Sequence, residues 1–184
     1  MDISFARLRD FPRGTFYRLL SDAYAFAPRY EEACGARGHA DEAFFLDNPE
    51  IGDRYCMVTT LNGEAIGLIA WDPRHLPEYA IVGDNCIITK YKGHGYGVRQ
   101  LREAVRRMFA AGAQTIYVST DNELLPAQRM YERVGFQRLE RNSLAPWQLA
   151  QGADIYYALS AQQMSAAASL SREAPPDTPD TRRP

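Results

Sequence analysis

Glycine stands at every second position of Lys92-Gly93-His94-Gly95-Tyr96-Gly97, between a run that reads as a strand and one that reads as an amphipathic helix. Alternating glycines let a backbone approach a ligand closely and turn its N–H groups toward one point. The helix start behind them adds partial positive charge. The arrangement predicts a phosphate cradle. A Walker A loop needs Gly-Lys-Ser/Thr at its end, but Gly97 is followed by Val98 and Arg99. A dinucleotide fingerprint needs glycine three residues after Gly95, where Val98 stands, and too little chain follows for a doubly wound sheet. Three alternating glycines also exceed what a tight strand-to-helix turn requires.

The periodicity around the cradle predicts a mixed α/β single domain. Phe16, Leu19, Leu20, Ala23 and Tyr24 fall at helical spacing after a short apolar start at Ile3, Phe5 and Leu8, and a second helical stretch runs from Arg29 to Leu46, interrupted at Gly35 and Gly38. The runs 55–61 and 65–71 are strand-like and joined through Asn62-Gly63, a two-residue hairpin signal. A strand from Tyr79 to Ile88 leads into the cradle. In the helix behind it, Val98, Leu101, Val105, Met108 and Phe109 share a face opposite Arg99, Arg102, Arg106 and Arg107, and Gly112 marks its end. Strands over 115–120, 136–141 and 154–159 follow, with a short helix over 126–134 and a loop carrying Pro146 and Trp147.

Charge has to be squared with a phosphate cradle. The 184 residues carry 21 basic and 23 acidic side chains, a net −2, too balanced for a chain that wraps nucleic acid or coats an anionic membrane. Backbone N–H groups hold phosphate without many basic side chains, so the balance fits. No apolar run nears the roughly 18 residues of a membrane span. Asp2, Arg7, Arg9 and Asp10 stand where a secretory signal would be apolar, so a cytoplasmic location is expected. The three cysteines, Cys34, Cys56 and Cys86, show no metal or disulfide spacing and read as reduced thiols. Residues 161–184 hold four of the eleven prolines and no aromatic residue, and are expected to be a disordered Ala/Ser/Pro-rich tail on a working domain over 1–160.

The cradle resembles the Arg/Gln-x-x-Gly-x-Gly/Ala pyrophosphate loop of the GNAT superfamily of acyl-CoA-dependent N-acyltransferases, with Lys92 in the first position. Ala127-Gln128-Arg129-Met130-Tyr131-Glu132-Arg133-Val134-Gly135-Phe136 resembles its second signature, Ala-x-x-x-Tyr-x-x-x-Gly-Phe. The two occur in the right order, and the resemblance spans about Asp53 to Leu159. It implies a mostly antiparallel sheet splayed between its fourth and fifth strands, with the cofactor's pantetheine arm in the gap. It further implies transfer of an acetyl group from acetyl-CoA to an amine by direct attack. Under this resemblance Lys92, Gly93, His94, Gly95, Tyr96, Gly97 and Val98 bind the pyrophosphate, and Asn85, Cys86 and Ile87 run beside the pantetheine, with the Ile87 N–H on the thioester carbonyl. Asn122 corresponds to an asparagine that contacts the pantetheine amide, but it lies nine residues before Tyr131 rather than seven, where Leu124 stands, and helix capping is the competing reading.

Tyr131 is the candidate general acid. Ala127, one turn earlier, clears space beside its phenol, and a group of pKa about 10 can protonate a thiolate whose thiol titrates near ~8.5. Packing against Phe136 is the competing reading. For the base, Asp84 has the charge and Asn85 shares parity with Ile87. As neighbours on a strand the two face opposite sides of the sheet unless a bulge intervenes. Asp72 and Glu78 are rim carboxylates, and Ser119 and Thr120 offer hydroxyls. Trp71, Tyr79 and Trp147 line the acceptor pocket or belong to the core. His94 reads as an exposed spacer, and His39 and His75 lack partners at metal-ligand spacing, so no metal is expected. A non-catalytic acyl-CoA-binding or regulatory module is the alternative to an enzyme. The acceptor is not legible, and a homodimer is left open.

Overall fold

The computed structural model describes residues 2–164, and for 31–36, 146, 150 and 151 the backbone only. The elements run β1 (Ile3–Ala6), α1 (Thr15–Tyr24), α2 (Pro28–Asp47), α3 (Pro49–Tyr55), β2 (Cys56–Leu61), β3 (Glu64–Asp72), β4 (Tyr79–Ile87), α4 (Tyr96–Ala110), β5 (Thr115–Thr120), α5 (Leu125–Val134), β6 (Gln137–Arg138), α6 (Pro146–Gln151) and β7 (Ile155–Ser160). Among the described residues they build one seven-stranded sheet in the order β1-β2-β3-β4-β5-β7-β6, in which only β4 and β5 pair in parallel. Asn62 and Gly63 both take positive φ, 51° and 86°, the left-handed pair that a two-residue hairpin turn requires.

Two cores sandwich the sheet. On one face Leu8, Phe16, Leu19, Leu20 and Ala23 pack on Val58, Ile66, Leu68, Ala70 and Cys86. On the other, Leu101, Val105 and Met108 of α4 and Tyr131 and Phe136 meet Met57, Ile69, Trp71, Val82, Ile116 and Tyr157. The start of α1 has no side-chain cap of its own. Its amides are taken by Glu42 of α2, whose buried carboxylate accepts the N–H of Gly14 at 2.9 Å and of Phe16 at 3.0 Å.

Five readings of the sequence change. The glycines at 35 and 38 do not interrupt α2, which is continuous. A Cβ on Gly38 would stand 3.3 Å from the Leu20 side chain and 3.8 Å from the Tyr17 Cα, so this glycine serves close approach of α1. The apolar start is a strand, β1, paired with β2 through Ile3↔Leu61 to Ala6↔Val58. A seven-residue helix, α3, begins at Pro49, and the loop around Trp147 is the short helix α6, which ends at Gly152 with φ 72°. The expected strand over 136–141 contracts to two residues.

A one-residue irregularity in β4 decides which side chains share a face of the sheet. Val82 pairs with Trp71 and Asn85 with Ile69, so three steps along β4 oppose two along β3. The extra residue is a bulge at Gly83–Asp84. Val82 and Asn85 therefore both face α4 and α5, whereas Asp84 and Cys86 face α1 and α2. β4 pairs with β5 only from Tyr79↔Thr115 to Ile81↔Tyr117, so beyond the bulge the two strands part. After β7, residues 161–164 form a helical turn and the Ala161 N–H donates to the Gln114 carbonyl at 3.0 Å. Residues 165–184 of the expected tail lie outside the described residues.

Candidate active site

The glycine run forms the N-terminal end of α4. Gly93 and Gly95 sit at φ 81° and 80°, in the left-handed region where a side chain is strained, and the space beside both is open. Gly95 is the N-cap, without a side-chain cap, and the Arg99 N–H is the first to turn back, to the Gly95 carbonyl at 3.3 Å. The N–H groups of Gly97 and Val98, in the first turn of α4, have no acceptor among the described residues and are left for a ligand. Gly97 has a different task from the other two. A Cβ there would meet the Met130 sulfur at 2.9 Å, so it lets α4 pack on α5. The loop is anchored to the C-terminal end of α1, where the Asp22 carboxylate accepts the Thr89 N–H at 2.6 Å.

Lys92 and His94 do not extend side chains into this cradle. The Lys92 ammonium donates to the Ala23 carbonyl at 2.5 Å and lies 5.1 Å from the centre of the Phe26 ring. Partial burial pulls its pKa down. His94 is exposed, with Nδ1 2.8 Å from the Lys92 carbonyl oxygen and its ring against Tyr96.

The parting of β4 from β5 opens a gap beside the cradle. The Ile88 N–H donates to the Ile66 carbonyl at 2.8 Å, so by ladder alternation the main-chain groups of Asn85 and Ile87 point away from β3, toward β5 across the gap. The Asn85 carbonyl accepts from the Tyr24 hydroxyl at 3.2 Å. The Cys86 side chain is buried in the α1/α2 core, so only its main chain runs along this edge.

Tyr131 and Asn85 meet on the α4/α5 face. Tyr131 is 5% exposed, with its ring 6.0 Å from Phe136 and 5.7 Å from Tyr157, so it does pack in the core. Burial pushes its phenol up to about 12, and the Asn85 amide beside it works in the opposite direction. Asn85 Nδ2 is nonetheless buried without a hydrogen-bond partner among the described residues, as is the Thr120 hydroxyl at the end of β5. Each strand bordering the gap thus carries an orphaned polar atom, which suits a polar ligand threaded between them.

Behind Asn85 lies a group the sequence reading missed. Gln100 of α4 is fully buried. Its Oε1 accepts from the Thr59 hydroxyl at 2.5 Å, and its Nε2 faces the Leu68 carbonyl at 2.8 Å, Asn85 Oδ1 at 2.8 Å and the Cys86 carbonyl at 3.2 Å. Room for it comes from Gly67, where a Cβ would stand 3.0 Å from Gln100 Oε1 and 2.4 Å from the Cys86 carbonyl oxygen. The available signal was a polar residue one and four places before Leu101 and Ala104 of the apolar face.

Asp84 lies on the opposite face, 8% exposed, and its Oδ1 accepts from Arg37 at 2.5 Å. Burial and the neighbouring Asp84 push Asp41 of α2 up to about 6. The three candidate catalytic residues are therefore split: Tyr131 with Asn85 on one side of the sheet, Asp84 with Asp41 and Arg37 on the other. Tyr79 shares the Asp84 face, since its neighbour Ala80 enters the α4/α5 core. It stacks on Trp147 at 5.3 Å and on His75 at 4.5 Å, with Tyr117 edge-on. Trp71 belongs to the core, and Asp72 is held by Arg74 at 2.5 Å. Asn122 does not cap α5, whose N-cap is Leu124. Its N–H donates to Asp154 at 2.9 Å, and its carbonyl accepts from Gln128 at 3.1 Å.

The sequence model of the acetyltransferase (GNAT) family matches residues 14–136, beginning earlier than the motifs alone. No curated protein matches the sequence. Among solved structures, the PaiA N-acetyltransferase of Thermoplasma acidophilum in complex with coenzyme A aligns with TM-score 0.69 and 13% identity over 87% of this chain and 99% of that one. An aminoglycoside acetyltransferase in complex with coenzyme A aligns with TM-score 0.65 and 16% identity over 91% and 99%. The ribosomal-protein-S18-alanine N-acetyltransferase of Escherichia coli aligns with TM-score 0.59 and 19% identity over 86% and 94%. These likenesses carry the fold, and the family match extends over two thirds of the sequence: the chain belongs to the GNAT acetyltransferase family.

Proposed function

We propose that this chain transfers an acetyl group from acetyl-CoA to a primary amine by direct attack in a ternary complex. The observation that carries the reading is the pairing of an open, left-handed glycine cradle at a helix N-terminus with a gap in the sheet that holds a buried phenol and orphaned polar atoms. Two structurally similar proteins contain coenzyme A, which supports the donor.

The N–H groups of Gly97 and Val98 hold the pyrophosphate, and the main chain of Asn85, Cys86 and Ile87 runs beside the pantetheine. Acetyl-CoA supplies a thioester whose carbonyl carbon is open to a neutral amine. The Ile87 N–H, directed into the gap, stabilises the charge that develops on the carbonyl oxygen as the C–N bond forms. Tyr131 gives its proton to the sulfur as the C–S bond breaks and that bond's electron pair moves to sulfur. The amine nitrogen loses a proton on the other face, where Asp84 and Asp41 offer carboxylate.

The test is free-thiol release from acetyl-CoA with a panel of polyamines, aminoglycosides, amino acids and peptides bearing free N-termini or lysines. At least one amine should raise the rate tenfold above hydrolysis, and Tyr131→Phe should lower kcat about 10²- to 10⁴-fold. A thermal shift with coenzyme A but no turnover with any amine would favour the non-catalytic module, and no shift would remove both readings.

A further inference from the structure

We propose that Gln100 is a positioning residue that fixes the Asn85 carboxamide with its NH₂ group toward Tyr131, so that the phenol O–H is free to serve the sulfur. This rests on Tyr131 being the acid.

Neighbouring groups with only one possible role fix both amides. The Leu68 and Cys86 carbonyls, 2.8 and 3.2 Å from one end of the Gln100 amide, can only accept, so that end is the NH₂. The other end is then an oxygen, and it faces the Thr59 hydroxyl, which can donate to it. An NH₂ group in turn requires an acceptor opposite, so the Asn85 atom 2.8 Å away is Oδ1. Asn85 Nδ2 is thereby turned the other way, where it is buried, unpartnered and next to the phenol. Two main-chain carbonyls thus set one amide, and that amide sets the next.

The consequence is chemical. With NH₂ facing the phenol oxygen, Asn85 can only donate to it, which leaves the phenolic hydrogen unclaimed and favours its release. Were the Asn85 amide reversed, its oxygen would accept that hydrogen and hold the proton away from the sulfur. Thr59 and the space at Gly67 belong to the same device, because without them the Gln100 side chain would neither fit nor be held at its oxygen end.

The test reads binding and needs no acceptor amine. Coenzyme A has a thiol that titrates near ~8.5 and desulfo-coenzyme A has none. A donor aimed at sulfur lowers the thiol pKa on binding. Coenzyme A should therefore tighten relative to desulfo-coenzyme A as pH rises from 7 to 10, by about tenfold for each unit of lowering. The affinities of both are measured by calorimetry for wild type, Gln100→Met, Tyr131→Phe and the double variant.

The expected result is a tenfold or larger rise in the affinity ratio for wild type and a ratio flat within twofold for Gln100→Met. Tyr131→Phe should be flat as well, with no further change in the double variant, while desulfo-coenzyme A binds all four alike. Thr59→Val, nearly the same in shape, should move the ratio in the same direction by less and serves if Gln100→Met does not fold. A ratio that keeps rising with pH in Gln100→Met overturns the positioning role and leaves Tyr131 as the acid. A flat ratio in wild type overturns both.

Discussion

Glu42→Gln removes a charge while keeping the shape of a side chain that reaches from α2 to the start of α1. The carboxylate has two oxygens within 2.9 Å of the Gly14 N–H, and Oε1 accepts from the Phe16 N–H at 3.0 Å, in a residue only 5% exposed. A hydrogen bond to a charged group is worth about 1.5–3 kcal/mol net, against about 1 for a neutral one. With its oxygen at the Oε1 position the amide still accepts from both N–H groups, now as a neutral acceptor, but sets its NH₂ group 2.9 Å from the Gly14 nitrogen. Demoting both bonds and opposing the Gly14 N–H with a second donor should cost about 2–3 kcal/mol. For a domain of this size that is roughly 4–12 °C in Tm. Urea unfolding followed by circular dichroism should show a lower midpoint with an unchanged slope. A midpoint within experimental error of wild type would refute the reasoning, because it would mean that these donors find other partners and that α1 is started by burial of Phe16, Leu19 and Leu20 alone.

Gly67→Ala should destabilise by about 1–3 kcal/mol and abolish thiol release, since its Cβ would stand 2.4 Å from the Cys86 carbonyl oxygen and push against β4; thermal melts and the thiol assay check this. Asp22→Asn weakens the carboxylate that accepts the Thr89 N–H, and calorimetry should show several-fold weaker coenzyme A binding with the fold intact. Asp41 is held more protonated in the folded chain than in the unfolded one. The folded chain therefore binds more protons between the unfolded value near ~4 and the folded value of about 6. Stability from this group is greatest below that window and is lost as pH rises through it, so Asp41→Asn should flatten the pH dependence of Tm between 4 and 6.

Most of the fold was legible because its signals are local. Asn62-Gly63 dictates a hairpin whatever surrounds it, and the apolar face of α4 is set by spacing. The glycine run and the spacing of Tyr131 from Gly135 and Phe136 pointed to the family. The shortfalls trace to tertiary context. Gly38 reads as a helix breaker in one dimension and is a helix-to-helix contact in three. β1 is four residues whose strand character depends on β2 being beside it. Lys92 occupies the position of a phosphate-binding side chain, yet the end of α1 supplies a carbonyl and Phe26 supplies a ring, and its ammonium is directed there. The Gln100 network spans residues 59 to 100, and no spacing rule connects a threonine on β2 with a glutamine on α4.

The bulge at Gly83–Asp84 gives the sheet the character of a partition. Under the proposed roles, the amine sheds its proton on the α1/α2 side and the sulfur gains one on the α4/α5 side. Each turnover then displaces one proton across the sheet, and the two sides are reset by exchange with solvent rather than by a relay between them. Acceptor preference can therefore be altered by substitutions on the Asp84 face without touching the apparatus that releases the thiol, and an altered leaving group can be accommodated without changing what the amine encounters.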